Sequence, residues 1–355
     1  MKSVVIVGAG VVGLFCAVRL AQAGARVTLL EAEAEEVGVF GPRASSAAAG
    51  MLAPLGEAPA AHERVALASF DLWKRLQDGA VWGDGVRFDG GVVVAANPEE
   101  ASAFVANAAR LERKAQSLSS SAFRSRTNLA ARVEHALFVE DEGVADPQRV
   151  LSGLVMDARR HGVTVKFGKD VREARANTVI THDDEIFEAD HVVLAPGAWA
   201  TSALQSAAPA LRRVEAAKGH IVSVVLEKAL KPNLRGKGFY LAQRLEDVVL
   251  GSTMEPGVYD RGIDPARVNA LLAAAEALAP GEVKPRGQVW TGIRPMSPDG
   301  APMIGASGDV LVAAGHSRNG WLLAPITAEI ISAYVFGADI APDWAALSPA
   351  RFETT

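Results

Sequence analysis

Two short apolar runs open the chain and predict its first elements. Ser3–Val7 is rich in β-branched residues, which is typical of a strand buried on both faces. Arg26–Leu30 has the same character. Between them, residues 11–23 predict a helix that Gly24 ends. The pattern therefore indicates a strand, a turn, a helix and a second strand.

The turn between the first strand and the helix carries a glycine fingerprint. Gly8, Gly10 and Gly13 have the Gly-x-Gly-x-x-Gly spacing, which permits a tight turn, close approach of a pyrophosphate and close packing of helix on strand. Phosphates are favoured at such a helix N-terminus. Glu31 closes the second strand, where a carboxylate can accept hydrogen bonds from a ribose. These residues predict a dinucleotide site and leave FAD and NAD open.

The next stretch predicts elements of a different kind, without a glycine fingerprint. They are helix 62–77, a hairpin with strands 86–88 and 91–95, helix 99–114, and a loop at the serine cluster 117–121. The hairpin prediction depends on Asp89 and Gly90, which are typical turn residues. We expect this stretch to belong to a second domain.

The middle of the chain alternates between the two expected domains. Its predicted elements are helix 147–160, strands 163–167, 191–195, 219–226, 238–242 and 248–253, and helix 265–277. Asp146 precedes Pro147 and is interpreted as a helix N-cap in preference to a ligand contact. Strand 191–195 exits sharply towards Gly197, as the first strand exits at Gly8, which predicts a return to the first sheet.

A second strand-to-helix turn lies near the C-terminus. Residues 310–313 predict a buried strand, residues 314–320 a glycine-rich turn, and residues 321–335 a helix. Free N–H groups at such a terminus stabilise negative charge. Two such turns favour a cofactor with a phosphate end and a ring that becomes anionic on reduction, which indicates FAD.

A run of small residues follows the first unit. Ser45 and Ser46 could donate to a phosphate, and residues 47–50 are slim enough for a flat cofactor to lie against their backbone. A tightly packed start of a helix explains the same residues equally well.

Composition restricts the partners. The chain has 355 residues, 36 basic and 41 acidic, with a net charge of −5 and no basic stripe. Nucleic acid is therefore not expected as a partner. No apolar run reaches the length of a membrane span. The single cysteine, Cys16, excludes an intramolecular disulfide and favours a reducing cytoplasm, and the histidines show no spacing typical of a metal site. A homo-oligomer is left open.

Several motifs in the same order resemble the FAD-dependent D-amino-acid oxidase superfamily, and within it the bacterial glycine oxidases of the thiamine pathway. They are GAGVVG with Glu31, ASSAAAGMLAP, DPQ, VVLAPGAW, GIRPMSPDGAPMIG and AAGHSRNGWLLAP. The resemblance implies an α/β (α+β) two-domain fold: a Rossmann-like FAD-binding domain and a mostly antiparallel substrate-binding domain. The implied FAD-binding domain comprises residues 1–82, 140–204 and 288–355, and the substrate-binding domain comprises 83–139 and 205–287.

The resemblance also implies a role for individual residues. The implied FAD contacts are Gly8, Gly10, Val11, Val12, Gly13, Glu31, Arg43, Ser45, Ser46, Gly50, Met51, Gly197, Gly315, Arg318, Asn319, Gly320, Trp321 and Leu322. The implied catalytic residues are Arg294, Tyr240 and Arg318. Residues 218–220, residues 242–244 and Trp321 depart from the family pattern, which predicts a reshaped pocket.

The chemistry of Arg294 agrees with that role. A guanidinium forms a fixed fork that binds a carboxylate through two hydrogen bonds. A structural salt bridge is the alternative for Arg294, and a position at the edge of a core is the alternative for Tyr240. Arg318 is either a wall of the pocket or a cap on a carbonyl. We interpret His220 and His316 as packing or hydrogen-bonding residues, not as catalytic bases.

The leading hypothesis is an FAD-dependent oxidase of glycine, sarcosine or a D-amino acid, which gives an imine and reduces oxygen to hydrogen peroxide. The substrate partners are then a small amino acid or amine and an electron acceptor. The first alternative is a dehydrogenase that passes electrons to a quinone or a carrier. A more distant alternative is an NAD-binding or non-catalytic flavin protein.

Overall fold

A computed structural model describes residues 1–35, 43–57, 59–131 and 133–352. The first unit folds as its pattern predicts, because apolar side chains of both strands are buried and the glycine turn lets the helix return across them. Its elements are Ser3–Val7, Val11–Gln22 and Arg26–Leu30, and the two strands pair in parallel with Val5 opposite Thr28. These strands form the centre of a mostly parallel sheet, called the parallel sheet below.

The parallel sheet collects strands from distant parts of the chain. Its order is Met303–Ser307, Val310–Ala314, His191–Leu194, Ser3–Val7, Arg26–Leu30 and Thr164–Lys166. The predicted return of the chain at residues 191–195 is confirmed, since Val5 lies opposite Val192 in parallel register. Parallel order brings the carboxyl ends of the central strands, and with them both glycine turns, to one edge of the sheet.

A second sheet, called the large sheet below, is mostly antiparallel. Its main path is Glu255–Pro256, Glu215–Leu226, Val248–Gly251, Phe239–Gln243, Asn233–Gly236, Gly91–Val94, Ala136–Val139 and Ala115–Leu118, and Val283–Met296 pairs with Glu215–Leu226. Asn233–Gly236 and Gly91–Val94 form a parallel pair within it. The predicted antiparallel block is confirmed, and its longest pairing places Gly219 opposite Gly292.

Smaller sheets and helices cover these two layers. The smaller sheets contain Val171–Ala174, Thr178–Thr181 and Ile186–Glu188, and Met51–Leu52, Gly143–Ala145 and Val86–Arg87. The helices are Val11–Gln22, Ala44–Ala47, Glu63–Leu76, Pro98–Arg110, Ser120–Thr127, Pro147–Arg160, Ser202–Ala207, Pro265–Leu278, Gly320–Phe336 and Pro342–Ala345. Asp146 caps its helix as predicted: its Oδ1 accepts from the Arg149 N–H at 2.9 Å.

The predicted hairpin at residues 86–95 is wrong. Val86–Arg87 pairs with Gly143–Ala145, whereas Gly91–Val94 enters the large sheet. The turn residues were identified correctly, because Gly90 has a φ of 79°. The turn nevertheless passes the chain from one sheet to another, since each strand finds partners that are distant in sequence.

The predicted loop at the serine cluster is also wrong. Ala115–Leu118 is an edge strand, and helix Pro98–Arg110 ends earlier than predicted to make room for it. Ser119 is the N-cap of helix Ser120–Thr127, with its Oγ accepting from the Ala122 N–H at 3.2 Å. Serines favour such caps as much as loops, so their composition alone did not distinguish the two.

The predicted division into domains follows the two sheets in most places. The parallel sheet and the helices that cover it share one hydrophobic core, and the large sheet packs helix Pro265–Leu278 over another. The strand Val283–Met296 runs without a break through the predicted boundary at residues 287 and 288. The domain limits therefore stay a prediction.

Candidate active site

The first glycine turn has no room for side chains at two of its positions. Gly8 has a φ of 103°, and a Cβ there would overlap the Ala195 carbonyl oxygen. A Cβ on Gly13 would overlap the Gly8 carbonyl oxygen. Glycine is thus required for the helix Val11–Gln22 to pack on its strand. The N-terminus of this helix, with N–H groups that have no partner inside the helix, lines a cavity.

Glu31 lies beside this turn with its carboxylate buried. Its Oε2 accepts from the Ala9 N–H at 2.7 Å, and its Oε1 accepts from the Glu33 N–H at 3.1 Å. These bonds fix the carboxylate at the end of the second strand, where it lines the same cavity.

The small-residue segment forms the opposite side of the turn. Ser45 Oγ accepts from the Val11 N–H at 3.0 Å, and the Ser45 carbonyl accepts from the indole Nε1 of Trp321 at 3.2 Å. The predicted start of a helix is confirmed, since Ala44–Ala47 is a short helix, and the contact with a cofactor stays a prediction for a segment that lines the cavity. Ser46 is buried and is not among the residues that line the cavity.

The second glycine turn, residues 315–320, ends at the start of helix Gly320–Phe336. The Ser317 N–H donates to the Pro295 carbonyl at 2.8 Å, and Gly315 has a φ of 67°. Gly315 faces Met303 and Ser297, away from the cavity. The Leu322 carbonyl accepts from Ser69 Oγ at 2.6 Å, so this residue belongs to the core beneath the turn.

One cavity of about 520 Å³ connects the two turns, a volume typical of a ligand site. Ser46, Gly315 and Leu322 are the predicted site residues that do not line it. Those that do are Gly8, Gly10, Val11, Val12, Gly13, Glu31, Arg43, Ser45, Gly50, Met51, Gly197, Tyr240, Arg294, Arg318, Asn319, Gly320 and Trp321.

Arg294 reaches the cavity from the large sheet. Its Nη2 donates to Ser252 Oγ at 2.7 Å and its Nη1 donates to the Thr253 carbonyl at 3.2 Å. Burial lowers the pKa of its guanidinium, and the nearby Arg318 acts in the same direction. Among the residues that the structure describes, no carboxylate lies within ion-pair distance of Arg294. The alternative of a structural salt bridge is therefore not supported.

Glycines inside the strands make room for these side chains. The sequence placed Gly219 in a segment expected to reshape the pocket, whereas Gly251 was missed. A Cβ on Gly219 would overlap Nη1 of Arg294, and a Cβ on Gly251 would overlap the Tyr240 hydroxyl. Glycine inside a strand often marks such a close approach. That signal was present in the sequence, although it does not reveal which side chain approaches.

Tyr240 is buried at the wall of the cavity. Burial raises the pKa of its hydroxyl, while the charge of Arg294 and a hydrogen bond with Ser252 act in the opposite direction. The phenol therefore stays protonated at neutral pH and can donate a hydrogen bond.

Arg318 is part of the wall and is held by a carboxylate that sequence reasoning missed. Its Nη2 lies 3.0 Å from Glu57 Oε2. Glu57 also contacts Arg235 at 3.3 Å, and Arg235 contacts the buried Glu142 at 2.6 Å. Glu57 is distant in sequence from both arginines, so no local pattern pointed to it. Among the described residues, the Arg318 side chain caps no carbonyl and is instead in an ion pair with Glu57.

The two candidate histidines are in structural hydrogen bonds, as predicted. His316 Nε2 lies 2.9 Å from Thr327 Oγ1, and burial lowers its pKa to about 3. His220 Nε2 accepts from the Asp264 N–H at 2.9 Å, which leaves its Nδ1 to donate towards Thr253 Oγ1. Both nitrogens of the His220 ring are thus engaged, and the low pKa of His316 makes its ring a weak base.

Comparison with known proteins identifies the family. The family described as FAD dependent oxidoreductase matches residues 3–334. The chain belongs to this family. The glycine oxidase of Bacillus licheniformis is 30% identical over 354 residues, covering 96% of this chain and 94% of that protein. The bifunctional protein ThiO/ThiG of Synechocystis is 30% identical and covers 100% of this chain, which spans only 54% of that protein's length.

Solved structures agree. The crystal structure of glycine oxidase from Geobacillus kaustophilus has a TM-score of 0.85 and 27% identity, and the match covers 99% of each chain. The predicted fold class, FAD as cofactor and an oxidoreductase of the glycine oxidase type are confirmed. The NAD-binding alternative is not supported, because the family is FAD-dependent.

The cavity fits FAD. A Cβ on Gly10 would come within 3.1 Å of Ser45 Oγ, so glycine keeps the approach to the helix N-terminus open. The Glu31 carboxylate and the Arg294 guanidinium both line this cavity.

In the described part of the chain, no group of acidic, histidine or cysteine side chains could hold a metal ion. Its helices are also too short or too polar to cross a membrane.

Proposed function

We propose that the protein oxidises the C–N bond of a small amino acid or amine, such as glycine, sarcosine or a D-amino acid. The product is an imine that hydrolyses, and oxygen is reduced to hydrogen peroxide. Bound FAD would supply the acceptor for the hydride that leaves the substrate Cα. The residues of this chain bind the substrate, orient it and exclude water.

The observation that carries this proposal is the half-buried Arg294, whose guanidinium lines the cavity without a carboxylate partner among the described residues. An unpaired charge in a protein interior is costly, and the groups found on this guanidinium are a hydroxyl and a carbonyl. An anionic ligand would compensate its charge. A carboxylate matches the guanidinium fork through two hydrogen bonds and would fix the direction of the Cα hydrogen.

Tyr240 and Arg318 complete the substrate end of the cavity. A protonated Tyr240 can donate to the same carboxylate that Arg294 binds. Arg318 is oriented by Glu57. The glycine oxidase of Bacillus licheniformis supports an amino acid as the substrate, since its match extends over nearly the whole chain.

For the cofactor, we propose that Glu31 binds the ribose and that the first glycine turn, Arg43 and Ser45 contact the pyrophosphate. Gly50, Met51 and the second glycine turn would contact the ring. Glu31→Ala would remove both a ribose ligand and the acceptor of the Ala9 N–H. We expect flavin content after dialysis to fall at least several-fold without a change in substrate preference.

The matched control for this variant is Glu35→Ala, because Glu35 is exposed and pairs with Arg159. Flavin absorbance per mole of protein is the measurement. Unchanged flavin retention in Glu31→Ala would exclude Glu31 as a ligand of the ribose.

Anaerobic reduction of the flavin tests the function itself. The purified holoenzyme is mixed with glycine, sarcosine, proline and D-amino acids, and bleaching of the flavin absorbance is recorded. Oxygen is then admitted, and oxygen uptake and peroxide are measured together. We expect rapid bleaching by at least one amino acid and one peroxide per oxygen.

The dehydrogenase alternative is favoured by one relative. The D-amino acid dehydrogenase of Rhizobium rhizogenes is 27% identical over 62% of this chain. Fast reduction by an amino acid, followed by negligible reaction with oxygen and rapid reaction with a quinone, would support this alternative and exclude the oxidase.

A further inference from the structure

A loop at the edge of the large sheet brings a third arginine to the cavity. The loop, residues 257–264, follows the edge strand Glu255–Pro256, and within it Arg261 lines the cavity that contains Arg294. No acidic side chain in the described ranges forms an ion pair with Arg261.

The backbone on both sides of Arg261 is anchored. Lys218, which is 5% exposed, donates from Nζ to Asp260 Oδ1 at 3.0 Å and to the Gly262 carbonyl at 3.2 Å. The Gly262 N–H donates to the same Asp260 oxygen at 2.8 Å. The Arg261 carbonyl itself accepts from Thr291 Oγ1 at 3.0 Å.

The side chains that hold the loop alternate along their strands with glycines on the side of the cavity. Lys218 and His220 flank Gly219, and Thr291 precedes Gly292 on the paired strand. Side chains on a strand alternate between its faces. One face therefore admits Arg294 to the cavity, and the other holds the loop, with His220 Nε2 accepting from the Asp264 N–H at 2.9 Å. Lys218 and His220 thus hold the backbone of the loop on either side of Arg261.

Arg261 is exposed, so water solvates its charge in the free protein and its guanidinium is accessible to a ligand that enters the cavity. Arg294 and Arg318 line the same cavity, and Glu57, which also lines it, pairs with Arg318. The carboxylate of a simple amino acid would bind Arg294, and only a substrate with a second carboxylate could also form an ion pair with Arg261.

We propose that Arg261 binds a second carboxylate of the substrate, on its side chain or on its nitrogen substituent, so that acidic amino acids are preferred to neutral ones of the same shape. This proposal rests on the proposed function, because it assumes that Arg294 binds the first carboxylate.

The test compares isosteric substrates in the holoenzyme. The first pair is D-aspartate and D-asparagine, and the second is N-carboxymethylglycine and its monoamide. Anaerobic flavin reduction gives kcat/KM for each. We expect at least one acidic member to exceed its amide at least tenfold, and Arg261→Gln to reduce that ratio about tenfold, the effect of losing one charge-assisted hydrogen bond.

Two further variants control this comparison. Arg261→Lys should retain part of the preference, and Arg212→Gln, at an exposed arginine outside the cavity, should retain all of it. Binding of succinate and its monoamide, read from the perturbation of the flavin spectrum, gives the same comparison without turnover. Arg261→Gln should weaken succinate about tenfold and leave the amide unchanged.

The outcomes separate this proposal from the function on which it rests. Reduction by neutral amino acids, with equal values for acid and amide in wild type and in Arg261→Gln, would overturn the role of Arg261 and leave the proposed function intact. If no amino acid reduced the flavin, the proposed function would fail and this proposal with it. If Arg261→Gln did not fold, the wild-type ratio and Arg261→Lys would decide.

Discussion

Arg294 is half-buried at the cavity wall, where Ser252 and the Thr253 carbonyl hold its guanidinium and a strand glycine gives it space. The Ser252 hydroxyl and the Thr253 carbonyl are both neutral, so the positive charge of Arg294 is not compensated. The guanidinium is thereby kept ready for an anion at a fixed position. Its lowered pKa results from burial, but an arginine remains protonated at any physiological pH.

Gly219→Ala tests how closely this space is fitted. The new Cβ would overlap Nη1 of Arg294 and force the guanidinium to move. We expect KM for carboxylate substrates to rise about tenfold or more, since a shifted fork loses at least one charge-assisted hydrogen bond. Flavin content should be unchanged. A variant with wild-type KM would show that the position of Arg294 is not critical.

Some individual residues of the site could be predicted from the sequence. Gly8, Gly13 and Glu31 belong to one local unit, so their spacing alone indicated their arrangement. Glu57 and Arg261 have no such local signature. They reach the cavity through contacts with residues far along the chain, and no spacing reports such contacts.

Among the elements, helix termini depend most directly on local residues. Helix Pro147–Arg160 begins with Asp146 as N-cap and proline in its first turn, as predicted. Asp146 Oδ2 also accepts from the Leu245 N–H at 3.3 Å. One side chain thus starts the helix and contacts a turn after the strand Phe239–Gln243.

Asp146→Ala should therefore reduce the free energy of unfolding by about 1 kcal/mol. Asp146→Asn keeps an oxygen acceptor and should lose much less. Urea unfolding of both variants measures the difference. Equal midpoints for Asp146→Ala and wild type would contradict the capping role.

Local sequence pattern did not predict the pairing of two short elements, the strand Val86–Arg87 and the edge strand Ala115–Leu118. Val86–Arg87 is only two residues long and is stabilised by pairing with Gly143–Ala145. Strands of this length carry almost no periodicity of their own. Their partners are set by the packing of the whole chain, so local pattern cannot assign them.

In the whole molecule, the end of the chain closes on its beginning. Helix Gly320–Phe336 packs against Val11–Gln22 and Glu63–Leu76. The Trp73 indole donates to the Trp321 carbonyl at 3.1 Å and stacks on the Trp321 ring. The cavity is therefore complete only when both ends of the sequence are folded together.

His316 is buried against helix Gly320–Phe336 and makes the free energy of unfolding depend on pH. Burial lowers its pKa to about 3, from 6.5. The stability from keeping it neutral is fully present above pH 6.5. Below that value the unfolded chain takes up a proton that the folded chain does not, until the pH reaches about 3. The unfolding free energy should thus fall by about 1.4 kcal/mol per pH unit within this window.

His316→Asn removes that dependence. Between pH 7 and pH 5, its unfolding free energy should fall about 2 kcal/mol less than that of wild type. A substitution at the exposed His182 serves as the control and should follow the wild-type curve. Parallel curves for wild type and His316→Asn would contradict the buried neutral state.

The role of Arg294 is tested most directly by the anaerobic reduction of the flavin by amino acids in wild type and in Arg294→Ala. We expect the variant to keep its FAD but to require about a hundredfold more substrate, since a bidentate contact worth about 3 kcal/mol is lost. An Arg294→Ala enzyme that is reduced at wild-type concentrations of amino acid would contradict this role.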